Sequence, residues 1–266
     1  MAATGALTMA APVPRKVRER RETRQVFYVR LVVIFAFVAV WEFLSRSGWF
    51  FADIIPSLVS IAQALFRLLV NPAFWANLQV TLLEAAAALC IGTFAGVVIG
   101  ILLGANRFLG AAFEPYLYYF SPTPRIILFP IMIMWFGVGL ASKIALGALA
   151  SFFAVALSTA AGMRQIDKVI IRVGRSFRAT PWQMATKIYL PAMRIPVLTG
   201  IRLGLGNALI TVLLAETKLS NQGLGYMVNT IYQRFDIPTL YALLIIVFII
   251  AGACNAVLGY VARRAR

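Results

Sequence analysis

Between two long apolar runs stands MRQIDKVIIRVGRSFRATPWQMATKIYLPAMRIP, residues 163–196. It carries Arg164, Lys168, Arg172, Arg175, Arg178, Lys187 and Arg194 against a single acid, Asp167. A stretch this basic belongs outside the lipid, and the positive-inside bias assigns it to the cytoplasmic face. Val169, Val173, Phe177, Ala185, Ile188 and Tyr189 recur at spacings of about three and four, which predicts one side of a helix. Pro181 has no backbone donor and divides that helix into two pieces. The pattern fits two uses: an interfacial helix resting its bases on anionic headgroups, or a surface held by a partner.

Outward from this segment the chain is written for a bilayer. Apolar residues make up 61% of its 266 positions, well above the usual half of a globular chain, so an ordinary soluble domain is excluded. A spanning helix needs about 20 apolar residues, and that ruler marks six spans: 26–44, 78–103, 111–136, 143–162, 196–217 and 239–262. The formal charge of +16 suggests nucleic acid only until the bases are located. Arg15, Lys16, Arg18, Arg20, Arg21, Arg24 and Arg30 precede or open the first span; Arg107 follows the second; Arg263, Arg264 and Arg266 end the chain. With the central segment these hold most of the bases. Only Arg46, Arg67, Lys143, Lys218 and Arg234 fall in the opposite connections. Six spans with both termini cytoplasmic follow, as does a division into a basic tail, 1–25, and one transmembrane domain, 26–266.

The first span is too long for a secretory signal, and Ser45-Arg46-Ser47-Gly48-Trp49-Phe50 offers no small-x-small cleavage site, so it reads as a retained anchor. Residues 56–69 predict a short amphipathic helix at the outer interface. Gly92, Gly96, Gly100 and Gly104 form a stripe that lets another helix approach closely, in the same chain or in a second copy. Cys90 and Cys254 fall inside spans and read as small packing residues, and histidine is absent, which removes the commonest metal ligand and proton relay.

Four prolines, Pro115, Pro122, Pro124 and Pro130, crowd the third span. Each removes a donor and disfavours helix at the residue before it, so this span is expected to be kinked or locally unwound. Such backbone is tolerated in a membrane only where protein or a water-filled cavity surrounds it. Arg125 sits among these prolines, either facing a translocation pathway or snorkelling or pairing with Glu84 or Glu216. Met132 and Trp135 lie on roughly the same helical face if the turn survives Pro130. No Gly-x-x-x-x-Gly-Lys-Ser/Thr occurs, so the chain has no phosphate-cradling loop and no ATPase site of its own. The acids are scattered, without the constellation of a membrane enzyme. A proton- or ion-coupled secondary transporter working through intramembrane carboxylates remains a competing class.

The central segment is similar to the cytoplasmic loop of ABC importer permeases, which runs Glu-Ala-Ala, three residues, Gly, nine residues, Ile-x-Leu-Pro. Ile188, Leu190 and Pro191 fit its end, while Arg178 falls on the glycine and Arg172-Val173-Gly174 on Glu-Ala-Ala. Ser176-Phe177-Arg178-Ala179-Thr180-Pro181-Trp182-Gln183 resembles Ser-Leu-Gly-Ala-Ser-x-Trp-Gln of the nitrate, sulfonate and taurine branch. Leu190-Pro191-Ala192 with Thr199-Gly200-Ile201-Arg202-Leu203-Gly204, Ala215-Glu216 with Gly223-Leu224-Gly225-Tyr226, and 124–130 with 135–139 resemble that branch too.

The resemblance covers the chain from about Pro56 onward and implies an all-α, six-span type I ABC importer permease (MetI-like) fold. It implies a second permease subunit, as a homodimer or a non-identical pair, two cytoplasmic ATPase subunits that use ATP and Mg, and a periplasmic solute-binding protein in a bacterial inner membrane. Nucleic acid is not an expected partner, and no cofactor or metal is expected on this chain. Alternating access is the implied mechanism. Arg175, Phe177, Arg178, Ala179, Thr180, Pro181, Trp182, Leu190 and Pro191 become candidates for coupling to the ATPase, with 179–182 at the tip. Arg125, Met132 and Trp135 are candidates for the pathway, and Glu216, Gly223 and Gly225 for an outer gate, where both glycines are expected to ease a chain reversal. The branch handles small anions; similar permeases serve neutral heterocycles such as thiamine pyrimidine precursors.

Overall fold

A computed structural model describes residues 15–47 and 54–264. Residues 1–14 of the basic tail, residues 48–53 and residues 265–266, with Arg266, lie outside the described residues. Two units are distinguished, 1–60 and 61–266. In the first, helix α1 (Arg15–Arg46) carries a span over Gln25–Arg46. Its C-terminal end is tied to the following turn, because Trp41 Nε1 donates to the Pro56 carbonyl (3.1 Å) and Leu58 N–H donates to Glu42 Oε2 (3.2 Å).

The helix α2 (Leu58–Val70) is amphipathic, with Ile61, Ala64 and Leu68 buried along one side. Asn71 caps α3 (Pro72–Ala105) by accepting from Ala73 N–H, and Asn106 both follows α3 and caps α4 (Arg107–Phe120). The expected break in the third span is found. α4 ends at Phe120, a single 3-10 turn covers Arg125–Leu128, and α5 (Phe129–Phe136) leaves at an angle of 93°. Prolines 122, 124 and 130 explain the break, since none can donate to a continuing helix. Counting the bent pair as one, six spans are present among the described residues, the others lying in α1, α3, α6 (Leu140–Arg164), α10 (Arg194–Glu216) and α12 (Ile237–Arg264).

The core is a bundle of α3, α6 and α10 joined through small side chains, Ala88, Ala148, Ala208 and Val212. The glycine stripe of α3 finds its neighbour in the same chain. A Cβ on Gly92, Gly96, Gly100 or Gly104 would lie within 1.9–2.7 Å of Ser151, Val155, Thr159 and Met163 of α6. Without lipid-driven hydrophobic gain between helices, close backbone approach of this kind is what holds spans together. Cys254 packs beside Leu205 and Leu209, whereas Cys90 lies on the exposed side of α3 and is not a core packing residue.

Candidate functional site

The basic segment forms three short helical pieces. Asp167 caps α7 (Lys168–Ser176) by accepting from Val169 N–H (2.8 Å). The helix closes on a residue in the left-handed region, Arg178, with φ +52°. Arg178 N–H donates to Arg175 O and Ala179 N–H to Gly174 O, the paired bonds of a Schellman ending, whose left-handed position glycine usually fills. The arginine that the sequence resemblance aligns with a loop glycine thus itself takes the left-handed position. The break therefore lies at 177–180, ahead of Pro181. Pro181 instead opens α8 (Pro181–Gln183), where Thr180 N–H donates to Gln183 Oε1 and Gln183 N–H to Thr180 Oγ1, a reciprocal capping box. A wider π turn over Met184–Tyr189 leads into α9 (Leu190–Ala192), and its register accommodates Pro191, which supplies no N–H.

The apolar residues of this segment divide between two sides. Ile188 and Met184 pack onto Gly174 of α7, while Ala185, Ile188 and Tyr189 are half-buried. Val169 and Val173 on α7 and Phe177 at its C-cap, spaced four apart, are exposed; Phe177 is 82% and Trp182 77% accessible. The single face expected from spacing thus becomes an inward half that seats the segment and an outward half with no cover among the described residues. The break at 177–180 turns one away from the other. Thr180 and Pro181 are exposed at the tip beside Arg178, and Ala179 is half-buried.

At the opposite end of α3, α6 and α10 lies a buried polar cluster. Lys143 Nζ stands 2.5 Å from Glu84 Oε1 and donates to Ser220 Oγ (2.9 Å). The Glu84 carboxyl also faces that of Glu216. Glu216 accepts from the Thr81 hydroxyl (2.7 Å) and from Gly225 N–H (2.7 Å). Gly223 N–H donates to Asn77 Oδ1 (2.7 Å) and Leu224 N–H to Thr81 Oγ1 (2.8 Å). Loop 217–223, between α10 and α11 (Leu224–Gln233), is thereby fastened to α3 and α6. Glycine is required at 223 on two counts: φ is +102°, and a Cβ would sit 2.2 Å from Glu216 Oε1. Gly225 lies within the first turn of α11, so it serves close approach to Leu213 O and Glu216 rather than chain reversal. Lys143, placed by hydropathy at the edge of a span, is 3% exposed inside the bundle. Its partner was legible in principle, since a lysine within apolar surroundings needs a counter-charge. Glu84 is the acid that answers it, 59 positions away.

The third group does not assemble as its spacing suggests. Arg125 is half-buried; its guanidinium donates to the Ser121 carbonyl and lies 5.4 Å from the centroid of Phe153, and its Nε has no partner among the described residues. It pairs with neither Glu84 nor Glu216, which are committed to Lys143, Thr81 and Gly225. Met132 is 9% exposed and packs with Phe129, Leu146 and Ala215, whereas Trp135 is 71% exposed. The helical face assumed from Arg125 onward is lost because a 3-10 turn precedes α5. Arg125 is therefore out of helical register with Met132 and Trp135, the first of which is buried and the second exposed.

Residues 92–266 match the family described as binding-protein-dependent transport system inner membrane component. The chain belongs to that family. Its match includes the basic segment and Glu216 but begins after Glu84. Over 215 residues it is 32% identical to the putative aliphatic sulfonates transport permease protein of Bacillus subtilis (strain 168), covering 81% of this chain and 78% of that one. It is 32% identical over 181 residues to the taurine transport system permease protein of Escherichia coli (strain K12), covering 68% and 66%. The formylaminopyrimidine transport permease protein of Halalkalibacterium halodurans is 27% identical over 217 residues, covering 81% and 83%. Among solved structures, a chain of the inward-facing MetNI methionine ABC transporter superposes with a TM-score of 0.65 at 19% identity, covering 74% of this chain and 99% of that one. At that identity the match establishes a MetI-type fold. Family membership places this permease in the binding-protein-dependent class and sets aside the proton-coupled carrier.

Proposed function

We propose that this permease forms half of the pore of an ATP-driven importer for a small anionic solute of the sulfonate or taurine type. The observation that carries the coupling role is the exposed apolar stripe Val169, Val173 and Phe177 with Trp182, set among bases on a segment held rigid by two caps and a Schellman turn. Uncovered apolar surface of this extent marks a docking face, and a cytoplasmic ATPase subunit is the partner that the family class calls for. Two permease subunits, as a homodimer, two ATPase subunits using ATP and Mg, and a periplasmic binding protein complete the assembly, with both termini in the cytoplasm of a bacterial cell. Closure of the ATPases draws the two basic segments together and opens the pore outward, which is alternating access. The buried cluster around Glu216 serves as the outer gate, with loop 217–223, fastened to α3 and α6 in this structure, as the part whose release opens it.

The sulfonate and taurine relatives favour an anion, and Arg125, which has no carboxylate partner among the described residues, supplies the matching charge. The formylaminopyrimidine relative favours a second reading, a neutral heterocyclic nutrient. Reconstitution with the cognate ATPase and binding protein tests both: ATP-dependent uptake of taurine or an alkanesulfonate is expected, and uptake of an aminopyrimidine instead overturns the anion. In the same system Ala179→Asp is expected to place an unpaired charge in the desolvated contact. Uptake should fall while the complex still forms in the membrane. Undiminished uptake with normal ATPase co-purification would exclude this segment as the coupling element.

A further inference from the structure

Where the basic segment leaves α6, a cleft of about 1020 Å³ opens between the ends of α3, α4, α6 and α7. Its inner wall is apolar, with Leu103, Met163 and Ile166 buried. Its mouth carries three exposed bases, Arg107, Arg164 and Lys168, and two exposed tyrosines, Tyr118 and Tyr119. One acid lines it, Glu114, and that acid is taken by an ion pair with Arg164. Asp167, next to Lys168, lies outside the lining and accepts from Val169 N–H. Among the described residues no carboxylate pairs with Arg107 or Lys168. The cleft therefore presents two unanswered positive charges above an apolar wall.

We infer that this cleft binds a singly charged oxyanion, and that the oxyanion is the phosphodiester headgroup of an anionic phospholipid. Four features select the lipid over a free sulfonate or phosphate. Basic pockets between spans on the cytoplasmic side take anionic headgroups, and the charge bias sets this end of the bundle there. The volume is at the upper end of small-molecule sites, far more than a sulfonate fills. The apolar wall continues from the charged mouth into the helix bundle, the arrangement that suits a glycerol backbone and the first methylenes beneath a phosphate. Tyrosines at the mouth match the headgroup level of a bilayer. The bound lipid would brace α4 against α7, and so join the broken span to the start of the basic segment. The site does not depend on which solute the permease carries.

The test uses the full-length permease purified in a neutral detergent. Native mass spectrometry after addition of phosphatidylglycerol or phosphatidylcholine should show selective retention of phosphatidylglycerol, with a matching rise in thermal stability. Replacing both unpaired bases, Arg107→Gln with Lys168→Gln, should weaken that retention about twenty-five-fold, since each base near a lipid surface contributes about fivefold. Arg107→Lys with Lys168→Arg should keep it. A parallel arm adds soluble glycerophosphoglycerol or ethanesulfonate without lipid. Protection by these free anions, together with no selective lipid retention, would overturn the lipid as the source. Equal retention of both lipids by the unaltered protein, or an undiminished preference in the double glutamine variant, would overturn the site itself.

Discussion

Arg178 shows how a residue that departs from a familiar pattern can leave its backbone intact. A side chain in the left-handed region costs roughly 1–2 kcal/mol, yet the two Schellman bonds and the Thr180 cap on either side hold φ at +52°. Arg178→Gly is expected to relieve that strain, offset partly by the freer unfolded chain. Thermal unfolding should show a stability unchanged or raised by up to about 1 kcal/mol, whereas Arg178→Val should lower it. A clear loss of stability in the glycine variant would mean that the arginine side chain, and not the turn, holds the segment. At the other end of the bundle, Lys143 is the counter-charge for Glu84 with Glu216 close by. Lys143→Met leaves a buried carboxylate unanswered, a loss of about 3–5 kcal/mol by analogy with other broken buried pairs. Adding Glu84→Gln should recover most of it, because the remaining acid keeps its bonds from Thr81 and Gly225. A double-mutant cycle in denaturant reads the coupling; additive losses would show that the two side chains do not act as a pair.

Elements were legible in proportion to how local their causes are. Hydropathy marked the spans, proline chemistry marked the break between α4 and α5, and the spacing in 56–69 marked α2. The short α11 carries no such local mark, because its ten residues are too few for the span ruler and begin beside the glycines of a turn. Partners across the bundle were the other gap. A stripe of glycines says that a helix comes close, but only the fold says that it is α6, and pairing of Lys143 with Glu84 joins two helices that hydropathy treats separately. The stripe yields a sharp expectation. At Gly100 a Cβ would lie 2.5 Å from Thr159 Cβ and 2.7 Å from the Ala156 carbonyl, so even alanine must push the two helices apart. Gly100→Ala should destabilise by about 1–3 kcal/mol, as overpacking does. Gly252→Ala on α12, where nothing lies within 4 Å, should be neutral or gain up to about 1 kcal/mol through helix propensity. Equal effects at both sites in thermal unfolding would remove the packing explanation.

For the whole molecule, the basic segment and the polar cluster lie at opposite ends of α6 and α10, so these two long helices connect the proposed ATPase contact to the proposed outer gate. Arg125 belongs to neither end. It stands in the broken span that packs on α6, held by a backbone carbonyl and an aromatic face instead of a carboxylate. An arginine within a membrane costs roughly 2.5–3.5 kcal/mol on insertion scales, and no acid among its protein contacts offsets that cost. A structural pair with Glu84 or Glu216 would have done so, but both carboxylates are engaged elsewhere. The unanswered charge fits a solute that brings its own negative group. Arg125→Ala should therefore abolish uptake of an anionic solute while the assembled complex and its basal ATP hydrolysis persist, and Arg125→Lys should retain part of the uptake. Trp135→Ala should have a smaller effect, since the two residues are out of helical register. If Arg125→Ala instead prevents assembly, the residue holds the broken span in place. If it transports at full rate, its charge plays no part in solute recognition.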